Sequence, residues 1–297
     1  MRKHLLLLVA IVIATSASAQ FYVSASGGYA IGSAGTMMGY KINSTGEEAV
    51  YGSYGQGLNG QLRFGYFFNE TFGVDLGIGY LHGDDKTLRD IELPGQEINI
   101  IGHGRAFGAM PALVYKFNNK IYGRLGAVVK IGGKTEVEGT INTAIPGQAL
   151  NPMLPPTTIA NLAVDFKRDF KGELPLGFTA AIGYKHDLND KIALFVEAEY
   201  LGISVRRDKA TLEYFNATLD IPGVGTSNPT NDELLSTIAN SPSLAADPII
   251  QTLAVLISNE TDYVDKRNYT DNSTLAETVP YSSFGINFGI TYTFTKK

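Results

Sequence analysis

The chain has 297 residues, with 24 Lys and Arg against 29 Asp and Glu for a formal charge of −5, and it lacks both cysteine and tryptophan. Without cysteine there is no disulfide framework, lipoprotein anchor or thiolate metal site, and the acidic balance argues against nucleic acid as a partner. The 33 glycines, 16 tyrosines and 15 phenylalanines suit curved strands that carry rings at an interface.

Arg2, Lys3 and His4 precede an apolar run over residues 5–14, and a small-residue stretch ends in Ala17-Ser18-Ala19. That order reads as a secretory signal peptide over residues 1–19, cut before Gln20, which leaves a formal charge of −7. The run is too short to cross a bilayer as a helix. No stretch of eighteen apolar residues follows it, so an ordinary helical membrane protein is excluded.

Eight segments then alternate with period two: residues 21–31, 60–68, 72–80, 107–117, 121–131, 174–184, 192–200 and 283–294. The last is the cleanest. Phe284, Ile286, Phe288, Ile290, Tyr292 and Phe294 fall on one face, with Gly285, Asn287, Gly289, Thr291 and Thr293 on the other. Pro111 interrupts the fourth segment, because proline removes a ladder donor. Three connections are tight: Asn69-Glu70-Thr71, Asn118-Asn119-Lys120 and the turn over residues 186–190. The other four are long, at about residues 32–58, 81–106, 132–173 and 201–281. Strict alternation of short and long connections is what an up-and-down barrel gives when its two rims face different compartments. The expected fold is all-β, an eight-stranded antiparallel transmembrane β-barrel over residues 20–297, with long extracellular loops and short helices in the last one.

On these features the chain resembles the eight-stranded outer-membrane barrels of Gram-negative bacteria, the OmpA/OmpX-like class. The resemblance rests on the leader, the eight segments and the closing Phe-Gly-Ile-Asn-Phe-Gly-Ile-Thr-Tyr-Thr-Phe. It implies the bacterial outer membrane as the location. Two departures stand out. The family's terminal aromatic is the last residue, whereas Thr295-Lys296-Lys297 follow Phe294 here, which resembles a lineage such as the Bacteroidetes. The peptidoglycan-binding domain of some relatives is not expected here, because the sequence closes on the eighth segment.

The strand phase points Arg63, Asp75, Arg124, Lys130, Lys185, Glu197 and Glu199 inward. A barrel this narrow is filled by its own side chains, so these charges are expected to pair as a lumen network that plugs it. In the third long connection Thr135, Val137, Gly139 and Ile141 alternate with Lys134, Glu136 and Glu138, and residues 158–166 are placed to pair with them. A sheet rising above the membrane follows. The fourth long connection holds two helical stretches. One opens at Asp232-Glu233; the other has Asp247 and Pro248 at its N-cap and first position, and the two are expected to pack as a small cap. This loop carries a formal −6, so the outer rim is acidic.

Little in the chain reads as chemistry. Gly132-Gly133-Lys134-Thr135 lacks the first glycine of a phosphate loop, since Val128 stands there. His82, near Asp84 and Asp85, and His103 fall near the outer rim without a G-x-S-x-G elbow or a metal-spaced histidine partner. The six N-x-S/T sites, one of them at Asn69, carry no weight in a bacterial envelope protein. The expectation is therefore a non-enzymatic barrel without cofactor or metal, acting through its loops in adhesion, other surface interaction or envelope integrity. Passage of a small or hydrophobic solute through a narrow or lateral opening is the alternative. Expected partners are outer-membrane lipid and lipopolysaccharide, with a host or extracellular protein at the loops, and the chain is expected to be a monomer.

Overall fold

The computed structural model describes residues 20–270 and 273–294. The expected signal peptide, residues 1–19, and the Thr295-Lys296-Lys297 tail lie outside them. Each of the eight alternating segments forms a strand: β1 (Gln20–Gly32), β4 (Gly57–Phe67), β5 (Phe72–Gly83), β7 (Gln96–Lys116), β8 (Ile121–Pro146), β10 (Leu176–Asp187), β11 (Ile192–Gly202) and β17 (Ser283–Phe294). Their antiparallel pairings run β1–β4–β5–β7–β8–β10–β11–β17 and return from β17 to β1. The ladder between β7 and β8 skips Met110 and Pro111, where the proline has no N–H to give.

The phase of each strand sets its two faces. Leu113 and Phe288 are each 65% exposed on the outside, while the Arg124 and Glu197 side chains inside are 1% and 0% exposed. Grease outward and charge inward is the arrangement that only a lipid surround tolerates. The three tight turns share one device. Asn69 Oδ1 accepts from the Thr71 and Phe72 amides, Asn118 Oδ1 from Lys120 and Ile121, and Asn189 Oδ1 from Lys191 and Ile192, all at 2.8–2.9 Å. In each case the asparagine satisfies two amides that the reversing chain leaves free.

The strand count differs from the eight expected, for the described residues hold seventeen. The other nine lie in the long connections: β2 (Thr36–Asn43), β3 (Gly46–Gly52), β6 (Lys86–Leu93), β9 (Ile159–Gly172), β12 (Ser204–Ile221), β13 (Gly225–Ser227), β14 (Glu260–Val264), β15 (Thr274–Leu275) and β16 (Thr278–Pro280). The reason is that β7 and β8 do not stop at the membrane. Their outer ends continue as a ladder, to which β6 adds beside β7, and β9 and then β12 add beside β8. The residues β9 contributes include those expected to pair with β8. Helices also extend beyond the last loop, since α1 (Gly147–Leu150) caps the β8–β9 connection.

As the strands leave lipid for water their apolar face has to turn inward, and β8 does this with a bulge. Phe107 pairs with Gly132 but Gly108 pairs with Lys130, so Ile131 is an extra residue. Below it Lys130 faces the lumen; above it Val137, Ile141 and Ile145 face the interior and are at most 3% exposed. Gly133, at φ 94°, makes this possible, because a Cβ there would collide with the Arg105 carbonyl. The half phosphate loop of the sequence is thus a strand bulge.

The interior of the outer layer is filled by α2 (Asn231–Asn240), α3 (Pro242–Ala246) and α4 (Pro248–Ile257). Thr230 and Glu233 form a reciprocal capping box on α2, and Asp247 caps α4 through the Ile249 and Ile250 amides. Leu234, Ile238, Leu253 and Ile257 pack with Ile100, Val137, Val164 and Phe166 from the sheet into the largest apolar cluster of the described residues. The helices therefore pack as a cap against the inner face of the extended sheet.

Candidate functional site in the barrel lumen

Five of the seven inward charges meet in one place. Arg63 on β4 grips Glu197 on β11 with both guanidinium ends, Nη1 at 2.9 Å and Nη2 at 2.7 Å. Arg124 on β8 donates to both Asp75 oxygens on β5, Nε at 3.0 Å and Nη2 at 3.2 Å, and its Nη1 reaches Glu197 at 3.1 Å. Glu199 stands 3.6 Å from Arg124 Nη1. Four strands of the circuit are thereby joined across its interior.

Neutral donors complete the cluster, and these the charge pattern had not marked. Tyr122 donates to Glu197 at 2.8 Å, and Tyr22 to Asp75 at 3.1 Å. Glu199 accepts from Gln61 at 2.6 Å, Asn287 at 3.0 Å and Thr179 at 3.1 Å. Three carboxylates face two guanidinium groups, so the extra negative charge of Glu199 rests on these three dipoles. With every carboxylate in it hydrogen-bonded, the network tolerates burial that would be prohibitive for any charge alone, although Asn287 Oδ1 has no partner among the described residues. Strand phase puts each of these neutral residues on the inner face, which is the sequence signal that could have found them.

Lys130 and Lys185 also face the interior but stand outside the network. Lys130 lines a cavity of about 90 Å³ on the outer side, with Gln61, Met110 and Glu199, and its Nζ donates to the Gly133 carbonyl at 3.3 Å. Lys185 lines one of about 60 Å³ on the side of the tight turns, with Lys116, Lys120 and Asp75, and pairs with Asp187 at 2.9 Å. Strand phase gives the face of a residue but not its height along the barrel, and these two lysines sit too far from the middle. Above the outer cavity, Tyr54 and Tyr281 lie 5.7 Å apart between ring centroids, packed with Ile203 and Val205.

A second polar cluster occupies the outward face of the extended sheet. His103 on β7 has Asp85 at 3.0 Å from Nδ1 and Glu136 of β8 at 2.8 Å from Nε2. Glu136 also pairs with Lys134 at 2.9 Å and Lys167 at 3.4 Å, and Lys134 pairs in turn with Asp169 of β9. Burial alone would raise the Glu136 carboxyl. The Lys134 and His103 hydrogen bonds and the Lys134 and Lys167 charges outweigh it, bringing the pKa from 4.5 to about 2. His82, by contrast, is exposed on β5. Both His103 neighbours are carboxylates, and the cluster staples three strands together.

Comparison with known proteins supplies the family. A chain from Coxiella burnetii (strain RSA 493 / Nine Mile phase I), described as an uncharacterized protein, is 26% identical over 183 residues, covering 57% of this chain and 70% of its own. Among solved structures, a major outer membrane protein from Thermus thermophilus has 13% identity and a TM-score of 0.36, over 93% of this chain and 99% of that one. Acinetobacter baumannii CarO has 13% identity and a TM-score of 0.30, over 89% and 96%. The family model for the outer membrane protein beta-barrel domain matches residues 5–221, well over half of the chain. With its lipid-facing strands and filled interior, the chain belongs to the outer membrane protein β-barrel family and resides in the bacterial outer membrane.

Proposed function

We propose that the protein is an eight-stranded, closed transmembrane barrel plugged by its own charges, and that its work is done by the sheet-and-helix layer above the membrane. The observation that carries this reading is the Arg63–Glu197–Arg124–Asp75 network, which joins four strands across the interior with cavities of only about 90 and 60 Å³ on either side. An eight-stranded barrel has room for side chains or one small ligand, and here the side chains take it. The outer layer has the larger share of the apolar core and an acidic surface. Lipopolysaccharide, bridged by divalent cations, and basic extracellular proteins are the partners such a surface attracts. Adhesion or envelope integrity is the corresponding role, performed by a monomer.

Osmotic swelling of vesicles containing the folded protein tests the reading. Vesicles exposed to a small sugar should swell no faster than protein-free ones, and swelling at porin-like rates would contradict it.

The two cavities in line above and below the network favour a second reading, passage of a small solute with transient opening of the ion pairs. That reading requires the network to break within the bilayer, at a cost of about 3–5 kcal/mol for each buried pair opened.

A further inference from the structure

The outer layer contains a cavity of about 660 Å³ that neither the lumen network nor the cap requires. That lies within the usual range for sites that enclose a small molecule, roughly 300–1,000 Å³. One part of its wall is apolar, formed by Tyr40 and Leu88 from β2 and β6, Ile100 and Val137 from β7 and β8, Phe170 from β9, and Leu256 from α4, and Thr36, Thr252 and Thr278 add hydroxyls beside it. It opens beside Met37 and Glu277, both exposed. The close passage of β2 over β6 that shapes one wall depends on Gly39, where a Cβ would collide with the Leu88 backbone.

Two cations line this space, Arg207 and Arg89. The Arg207 guanidinium lies 4.2 Å from the centroid of the Phe170 ring, and one of its ends, Nη1, pairs with Glu277 at 3.0 Å. Its Nε–H is buried with no acceptor among the described residues. A buried donor left unpaired is costly, and an acceptor supplied by a ligand removes that cost. Arg89 stands 5.6 Å from the Tyr40 ring, with no carboxylate in ion-pair range among the described residues. Two guanidinium groups against one carboxylate leave the cavity one positive charge in excess, on a rim that is otherwise acidic.

The geometry points to a binding site for an amphiphilic monocarboxylate, a small molecule with an aromatic or short aliphatic body and one carboxylate. The carboxylate would accept from Arg207 Nε and balance the excess charge, while the body takes the place between Tyr40, Phe170 and Leu256. A dianionic head such as a phosphate monoester would overshoot that balance, and a cation would meet two arginines. This assignment rests on the reading that the outer layer, rather than the lumen, meets the ligand. Binding is independent of conductance, so a failure here and a failure of the plugged-barrel reading are seen in different experiments.

Calorimetric titration of the full chain in lipid nanodiscs, with empty nanodiscs as the blank, tests it. The probes are 4-phenylbutyrate, 4-phenylbutanol, 4-phenylbutylamine and 4-phenylbutyl phosphate, which share one body and differ in the head. The butyrate should bind one to one, with the alcohol and amine each about tenfold weaker or more, as the loss of a charge-assisted hydrogen bond implies, and with the phosphate weaker because its second charge goes unbalanced. Arg207→Met keeps the apolar volume and should lower butyrate affinity by about tenfold or more while leaving the alcohol unchanged. If that variant does not fold, Arg89→Gln carries the same comparison at the cavity's other cation. Equal binding of all four heads, tighter binding of the phosphate, no binding of the butyrate, or unchanged butyrate affinity in the folded variant would each overturn the assignment.

Discussion

Arg63 and Glu197 meet from β4 and β11, on separate parts of the circuit, in a two-pronged pair whose side chains are 3% and 0% exposed. Removing Glu197 leaves the buried Arg63 guanidinium without a carboxylate partner and takes one from Arg124 as well. Glu197→Ala should therefore destabilise the barrel by about 3–5 kcal/mol, and the double change Arg63→Met, Glu197→Met should recover much of that. Urea midpoints of the protein refolded into vesicles give both values. A Glu197→Ala midpoint equal to that of the parent would show the pair to be dispensable.

Acid should loosen the outer sheet before the barrel. The Glu136 carboxyl has its pKa depressed from 4.5 to about 2 by Lys134, His103 and Lys167. A depressed carboxylate contributes stability that is fully present above its unfolded value and disappears as pH falls through the folded one. The contribution should hold above about pH 4.5 and fade from there down to about pH 2. Hydrogen exchange of the β7–β9 amides above the membrane, at pH 7, 4 and 2, should show protection falling across that window. In Glu136→Gln the decline should be smaller, and equal declines in both proteins would contradict the role given to this carboxylate.

The bulge at Ile131 and Gly133 should be required for the cap. A valine at Gly133 would be strained at φ 94° and would strike the Arg105 carbonyl. A one-residue slip exchanges the faces of a whole strand, so pairing without the bulge would put Glu136 and Glu138 into the apolar interior. Gly133→Val should keep the lipid-facing strands, read as the usual difference in gel mobility between heated and unheated samples. It should also become open to surface trypsin at Lys134 and Lys167. Trypsin resistance equal to that of the parent would sink the argument.

Each of the three turn asparagines satisfies two backbone amides at 2.8–2.9 Å. Asn69→Ala, Asn118→Ala and Asn189→Ala should each cost about 1–2 kcal/mol, from two bonds of modest net worth. Urea midpoints check this, and a triple variant as stable as the parent would mean that the turns hold themselves.

The barrel strands could be read from the sequence because lipid on one side and a narrow lumen on the other impose a strict period of two. Phe284 through Phe294 shows it without error. The outer strands were harder to read. Above the membrane the apolar face is the inner one, and β8 reaches that state by a bulge, which leaves its composition alternating as before while its faces exchange. Among the outer strands, residues 134–141 and their partners at 158–166 keep enough pattern to announce a rising sheet. In the site, phase gave the correct face for Arg63, Asp75, Arg124, Glu197 and Glu199. Height along the barrel depends on register between strands that are distant in the chain, so phase alone groups Lys130 and Lys185 with a network they do not reach. The neutral members Tyr22, Gln61, Tyr122, Thr179 and Asn287 share the inward face, but a search for charges passes over them. The helix caps at Thr230 and Asp247 are local, and Asp247 with Pro248 was legible for that reason.

Planar-bilayer recording of the purified, folded chain bears most directly on whether the ion-pair network closes the lumen. The parent protein should give a quiet baseline, and Glu197→Ala combined with Arg63→Ala should introduce discrete openings. Well-defined, long-lived channels from the parent protein would contradict the account.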